Sequence, residues 1–441
     1  MVIALDIGTT NIKAVAFSAV GAALAAAERT NQTFASCAGW SEQAPAKVFQ
    51  NVLEVLSHLL LKMAQEHPMD KPRAIVFSSA MHGLVAVDNA GLPLTNFMLW
   101  SDVRAVEEAR VLRQKGGGGE DLYRRTGVPI HPMSPLVKLI WLRKNLPVLF
   151  QKTHKFLGIK EFVWFRLTGK FESDISCASA TGLMNLWKNE WDNEALAAAG
   201  ISTEQLPILV SPTHTAMSVL RMFPEGLPLI IGASDGALAN LGSGATDSGQ
   251  VAITVGTSAA IRMMTNTPIL DEQMRTFCYR LDAKRCIVGG ASNNGTNALE
   301  WLRTSVFQSS LSPEDFANQA MAVPAGAEGL QFFPYLLGER APLWDASARA
   351  SFVGLTAQHT QAHFVRAVME GVLINLKSIA DLLEEKTPIQ TIHVSGGFAH
   401  NKLWVSMLGE VFQKEIVVGT AGGDASVCGA YLLVKEVLGI G

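Results

Sequence analysis

Cysteine is scarce in this chain, and its spacing carries no chemistry. Five are spread along 441 residues, at Cys37, Cys177, Cys278, Cys286 and Cys428. They are odd in number and never in CxxC spacing, which argues against a disulfide framework or a zinc site and fits a reducing compartment. Charge is scarce as well: charged residues make up 17% and the formal net charge is −3. Nothing in that balance points to a nucleic-acid or acidic-membrane partner. Long apolar runs are missing, since each meets a charge or a glycine before the roughly 20 residues a membrane span requires. No basic-then-apolar leader precedes the first strand at Val2. The expectation is a cytoplasmic globular protein. Two phosphate-binding patterns are also missing, the GxxxxGK[ST] loop and the GxGxxG dinucleotide turn.

What is present is apolar bulk. Hydrophobic residues make up 48%, enough for large cores, and the length makes two domains of roughly 200 residues each the default. Period-2 and helix-length patterns alternate, which favours an α/β class. Residues 2–7 and 11–17 read as strands joined by the tight Gly8-Thr9-Thr10 turn, 47–65 as a helix, and "RAIVFSSA" (73–80) as a buried strand. "GGGG" (116–119) reads as a surface connection, and "KLIWLRKNLPVLFQK" as helical up to the proline at 147. "GQVAITVGTSAAIRMM" (249–264) repeats strand, Gly-Thr turn, strand. Aligning Ile7-Gly8-Thr9-Thr10 with Val255-Gly256-Thr257-Ser258 makes the two segments look like copies. Asp6 then falls opposite Thr254, so the first copy alone carries a carboxylate. The repeat suggests a duplicated fold, with a first domain over 1–230, a second over 231–441 and a ligand in the cleft between them.

Several residues have side chains suited to chemistry there. The amides and hydroxyls of the Gly8-Thr9-Thr10 turn suit phosphate oxygens, Lys13 adds positive charge, and Asp6 suits a water-bridged magnesium ion. The alternative is an ordinary hairpin with a capping aspartate. A second such turn at Gly256-Thr257 allows two hairpins to hold one polyphosphate. Asp235 follows an apolar strand and opens a small-residue helix, "LIIGASDGALANLGSG" (229–244). It suits either a base that takes a proton from an attacking hydroxyl or a plain helix N-cap. Met81-His82 follows a buried strand, where both residues are as readily core. Trp100, Asp102 and Arg104 combine a ring face, an acceptor and a forked donor, suited to a polyhydroxylated ligand. In "HVSGGFAHNKLW" (393–404), Gly396-Gly397 would let a flat base approach the backbone, with Asn401 to hydrogen-bond it. The alternative is a simple strand-to-helix turn.

Together these segments resemble the FGGY carbohydrate kinases, within the actin-like, hexokinase-like ATPase fold. "MSPLVKLIWLRKN" (133–145) fits the first signature of that family, and "ASFVGLTAQHTQAHFVRAVMEG" (350–371) fits the second at Gly354, His363, Ala367 and Glu370. The resemblance runs from residue 2 to about 435. It implies two RNase-H-like domains around a central cleft and an ATP-dependent kinase using Mg2+. On matching positions it implies a magnesium site at Asp6 and Asp235, with Asp235 as the catalytic base. Gly8, Thr9, Thr10, Asn11 and Lys13 would form the first phosphate segment, and Gly256 and Thr257 the second. Gly396, Gly397 and Asn401 would form the adenosine segment, and Met81-His82 the pair that contacts sugar hydroxyls.

"GASDGALANLGSGA", "LLGERAPLWD" (336–345) and "SGGFAHNKLW" are most similar to gluconate kinases. Xylulose kinases usually place an amide after the catalytic aspartate, where this chain has Gly236. An anionic acceptor calls for a cation, and Arg104 and Arg340 are the candidates, with a structural ion pair as the alternative for Arg340. The resemblance implies a small-molecule partner, gluconate first and xylulose or another polyol second. An actin-fold ATPase without a sugar acceptor is the remote alternative. A homodimer is left open.

Overall fold

The computed structural model describes residues 1–419, 424–435 and 437–439. The opening strand β1 (Val2–Ile7) shows how the pleat aims its side chains. Ile3, Leu5 and Ile7 enter one core together with Val52, Leu56 and Leu59 of helix α1 (Pro45–Glu66), whereas Val2 and Ala4 enter another core on the opposite face. Asp6 continues the Val2–Ala4 series. Its carboxylate is therefore turned to the side on which the second half of the chain packs.

Among the described residues, two six-stranded sheets dominate. The first is built from β1, β2 (Asn11–Phe17), β3 (Ala23–Thr30), β4 (Ala74–Ser79), β5 (Thr215–Met217) and β6 (Pro228–Ser234), in the order β5-β6-β4-β1-β2-β3. β1 is antiparallel to β2 but parallel to β4, which is parallel to β6 in turn. The register sets Asp6 opposite Ser78 and Ser79 opposite Ser234. Three parallel strands thus end together, and ligands of such sheets collect beyond the carboxyl ends.

The second sheet contains β7 (Gln250–Val255), β8 (Ala259–Thr265), β9 (Phe277–Arg280), β10 (Cys286–Ser292), β11 (Thr391–Ser395) and β12 (Glu415–Val418), in the order β9-β10-β8-β7-β11-β12. β7 is antiparallel to β8 and parallel to β11, repeating the relations of β1. The likeness reaches side chains. Ser78 Oγ donates to Asp6 Oδ1 at 2.7 Å, and Thr254 Oγ1 meets Ser395 Oγ at 3.0 Å in the corresponding place. The duplicated fold is there, with the carboxylate in one copy and a hydroxyl in the other.

Between β4 and β6 the chain forms α2 (Pro135–Asn145), started by Pro135 behind Ser134, whose hydroxyl accepts from the Val137 amide. The helix stops at Asn145, and a short helix begins afresh at Pro147. The dividing line at 230/231 falls inside β6, a strand of the first sheet. The changeover to the second sheet occurs along α3 (Asp235–Gly242), which follows β6 directly. Later come α4 (Lys402–Phe412) and α5 (Ala425–Lys435). α5 reaches back to the first sheet, where the Tyr431 ring lies 5.1 Å from that of Phe17 and its hydroxyl donates to the Ala19 carbonyl at 3.0 Å.

α3 and α5 cross in backbone contact. A Cβ on Gly429 would lie 1.8 Å from the Leu238 carbonyl oxygen, and one on Gly242 would lie 1.9 Å from that of Ala425. Gly429→Ala should therefore destabilise the fold by about 1–3 kcal/mol through overpacking, although alanine is ordinarily the better helix former by about 1 kcal/mol. A lowered thermal-unfolding midpoint is the expected reading. No described helix is long and apolar enough to cross a membrane.

Candidate active site

The site starts from two carboxylates at the ends of parallel strands. Asp6 accepts from Ser78 Oγ at 2.7 Å and from Ser426 Oγ of α5 at 3.1 Å. Asp235 is the first residue of α3, after the N-cap position held by Ser234. Its carboxylate is therefore not a cap. Its Oδ1 accepts from the Gly236 amide at 2.6 Å, which leaves Oδ2 for a ligand. Burial, and next the neighbouring charge of Asp6, push the Asp235 carboxyl up to about 6, with Arg262 pulling the other way. Burial also raises Asp6. Two carboxylates that strain against ionisation in one place suit a cation or a proton.

Asp235 opens into a cavity of about 130 Å³ whose walls include Met81, His82, Trp100, Ser258, Arg262, Tyr279, Arg340 and Trp344. His82 Nδ1 lies 2.8 Å from the Ala180 carbonyl, so the proton sits on Nδ1 and Nε2 is an acceptor, with the Tyr279 hydroxyl 3.5 Å away. Burial pushes this imidazole down to about 3, which keeps it neutral. The floor carries positive charge. Arg340 Nη2 donates to the Ser292 carbonyl at 2.9 Å and its guanidinium stands 4.6 Å over the Trp100 ring, while Nε has no partner among the described residues. Burial lowers it only to about 10, so it stays charged at neutral pH. Arg262, from the middle of β8, leaves its buried Nη1 without a hydrogen-bond partner among the described residues. It sits beside the backbone of Gly236, where an added Cβ would lie 3.1 Å from Arg262 Nε and 2.9 Å from Met81 Cε.

Both glycine-threonine turns are held from behind. The carbonyls of Gly8 and Thr9 accept from Asn31 Nδ2 at 2.9 Å and Gln43 Nε2 at 2.6 Å. In the second turn, Gly256 accepts from the Thr296 amide at 2.8 Å and Thr257 from the Gly295 amide at 3.1 Å. In a planar trans peptide the N–H points opposite to the C=O. Tying these carbonyls inward therefore turns the amides of Thr9, Thr10, Thr257 and Ser258 outward. Thr296 also lines a second cavity, of about 400 Å³, together with Gly397, Phe398, Asn401 and Trp404. The second turn thus stands between two cavities, with Ser258 on the Asp235 side and Thr296 on the other.

Strand order, two repeated turns and an acid facing one cavity match what the FGGY resemblance implies. Comparison with known proteins agrees. The model described as "FGGY family of carbohydrate kinases, N-terminal domain" matches residues 1–242, and its C-terminal counterpart matches 251–434. The chain belongs to the FGGY family of carbohydrate kinases. It is 39% identical to a gluconokinase of Bacillus subtilis (strain 168), over 97% of this chain and 86% of that protein. Two solved structures from Lactobacillus acidophilus superpose on this FGGY chain. A ligand-bound xylulose kinase does so with TM-score 0.94 at 35% identity, covering 100% of this chain and 90% of that one. A gluconate kinase does so with TM-score 0.93 at 35% identity, covering 99% and 89%. The enzyme is therefore a sugar kinase with the actin-like, hexokinase-like fold.

Of the residues anticipated for the site, Met81, His82, Trp100, Asp235 and Arg340 share one cavity and Gly397 and Asn401 share the other, while Asp6, Gly8, Thr9, Thr10, Asn11, Gly256 and Thr257 line neither. Arg340 makes no ion pair among the described residues, contrary to the structural alternative. Asp102 and Arg104 line neither cavity, and their side chains are bonded to each other and to the body of the fold. Arg104 Nε lies 2.9 Å from Asp102 Oδ1, its Nη2 lies 2.5 Å from Glu42 Oε1, and its guanidinium stacks 3.6 Å from the Trp40 ring. That charge is spent inside the fold. Lys13 is paired as well, with Asp424 of the segment "GGDASVCGA", whose residues 422–423 lie outside the described residues. Gly396 packs against the Val255 carbonyl rather than lining the second cavity. Arg262 and Tyr279 were not anticipated. The available signal was an arginine interrupting the apolar run "AAIRMM" (259–264).

Proposed function

We propose that this kinase transfers the γ-phosphate of ATP to a hydroxyl of an open-chain sugar acid, with gluconate as its acceptor. The observation that carries this reading is the pair of cavity arginines, Arg262 and Arg340, each with a buried N–H lacking a partner among the described residues. A buried guanidinium with an unmet donor gains most when an anion completes it. A carboxylate gives it a charge-assisted bond, whereas the oxygens of a ketose give neutral ones. The identity to gluconokinases supports the same reading.

The acceptor hydroxyl would donate to Asp235 Oδ2, which takes its proton as the oxygen attacks phosphorus. The outward amides of Thr9, Thr10, Thr257 and Ser258 would hold phosphate oxygens, since phosphoryl transfer asks mainly for positioning and charge stabilisation. His82 Nε2 would accept from another hydroxyl of the acceptor. Asp6 and Asp235 offer only hard oxygen donors and are both raised by burial, which fits Mg2+ with part of its water shell. When bound, that ion neutralises charge on the phosphate oxygens. Closure of the cleft would keep water from competing for the phosphoryl group.

The adenosine would lie in the larger cavity. Asn401 Oδ1 is occupied in capping α4, accepting from the Leu403 and Trp404 amides at 3.0 and 3.1 Å, so its amide N–H groups are what it offers a base. Asn401→Ala should cost about 1 kcal/mol of stability through the lost cap and raise the KM for ATP while leaving that for the acceptor unchanged. Steady-state kinetics with each substrate varied in turn will read this. The overall reading is tested by an acceptor panel of gluconate, xylulose, ribulose and glycerol with ATP. Gluconate should give the highest kcat/KM. A higher value for xylulose would transfer the assignment to the pentulose reading, which the Lactobacillus acidophilus xylulose kinase keeps in view.

A further inference from the structure

One buried cation outside the reacting groups touches three walls of the acceptor cavity at once. Lys138 of α2 is fully buried, and its Nζ donates to the carbonyls of Leu99 at 2.6 Å, His82 at 2.7 Å and Met133 at 2.8 Å. His82, Met133 and Trp100, the residue following Leu99, all line the cavity. Leu84 and Met98 already pair the first two segments, with amide-to-carbonyl bonds of 3.0 and 2.9 Å, but nothing in that pairing reaches Met133. We propose that Lys138 is the positioning residue of the acceptor cavity, fastening that pair of segments to the Met133 turn so that His82 and Trp100 meet the substrate in fixed places.

The need for a fastener is visible at His82. Its φ of 69° lies in the left-handed region, which a non-glycine residue holds only when its surroundings impose it. The Ala180 carbonyl holds the ring at one end and Lys138 holds the main-chain carbonyl at the other. All three ammonium N–H groups are used, so Lys138 has none left for substrate. Its role is confined to geometry.

A consequence separates this role from packing. Three carbonyls need three N–H donors, whereas a neutral amine has two and aims a lone pair at the third oxygen. Burial lowers Lys138 to about 7. The charged groups facing it are Asp102, which favours its charge, and Arg104, which opposes it. The neighbouring imidazoles His82 and His131 are both held neutral by burial. The fastener therefore loses its third hydrogen bond progressively as pH rises through about 7.

The proposal rests on the cavity being the acceptor site, and the experiment uses whichever panel sugar turns over, so a failed gluconate assignment leaves it testable. In wild-type enzyme the acceptor KM should rise at least about threefold from pH 6.5 to 8.5 as the third hydrogen bond is lost, with the KM for ATP unchanged. Lys138→Met should raise the acceptor KM about tenfold at pH 6.5 and abolish that pH dependence. Lys138→Arg, charged throughout, should stay flat across the range at a lower KM than Lys138→Met. Equal rises for acceptor and ATP, or a rise in acceptor KM of wild-type size from pH 6.5 to 8.5 that survives in Lys138→Met, would overturn the role. Should Lys138→Met not fold, a flat wild-type acceptor KM between those pH values overturns it alone.

Discussion

Asp235→Asn is expected to lower kcat roughly 10³-fold while leaving the affinity for metal-free nucleotide near the wild-type value. The substitution keeps shape and the short bond from the Gly236 amide, because the side-chain carbonyl accepts as the carboxylate did. What it removes is the oxygen that takes a proton. The nucleotide contacts expected at the second cavity lie beyond the Gly256-Thr257 turn and are not touched. Stability should move the opposite way from activity. The carboxyl is raised to about 6, so at pH 7 the native state holds an ionised group where burial and Asp6 disfavour it. A neutral amide relieves that cost, and the thermal midpoint should rise. Loss of turnover together with a higher midpoint is the signature of a functional acid, in line with the usual trade between activity and stability. Turnover near the wild-type rate would remove Asp235 from its role.

The parts of this enzyme that were legible in sequence are those set by neighbouring residues. The β1–β2 hairpin and its copy at 250–265 could be read because period-2 alternation and a glycine turn are local signals. The same holds for Asp235, which stands at a strand-to-helix junction. Other residues have partners that the sequence does not show. Arg104 reads as a forked donor for a ligand, yet Asp102, two positions before it, and Glu42, 62 positions before it, together take up its guanidinium. Lys13 reads as a phosphate ligand, yet its partner Asp424 lies 411 positions on. Arg262 was overlooked for the complementary reason. Only the pairing of β8 between β7 and β10 places it beside Gly236 and Asp235. The division at 230/231 falls inside β6, where Gly232, with φ 69°, interrupts the apolar run at a register shift without ending the strand.

Arg262→Met should lower the ratio of kcat/KM for gluconate to that for xylulose by about 10²-fold. The ratio is the informative quantity. Arg262 also helps hold down the Asp235 carboxyl, so its loss makes the base less available at neutral pH for every acceptor alike. That effect cancels between two acceptors attacked through the same hydroxyl chemistry. The remainder is the charge-assisted bond that an acid makes and a ketose does not. Arg340 is the less decisive target, since one of its nitrogens already serves the Ser292 carbonyl and its plane stacks over Trp100. Gly236→Asn provides an independent route to the same outcome. A Cβ there would already lie 3.1 Å from Arg262 Nε, and a full amide side chain would displace the guanidinium without removing it. Glycine at 236 and arginine at 262 thus act as one device: the missing side chain leaves the space that the cation fills. If both substitutions leave the ratio within about twofold of wild type, the acceptor's charge is not read at this place, and the sugar-acid assignment loses its physical basis.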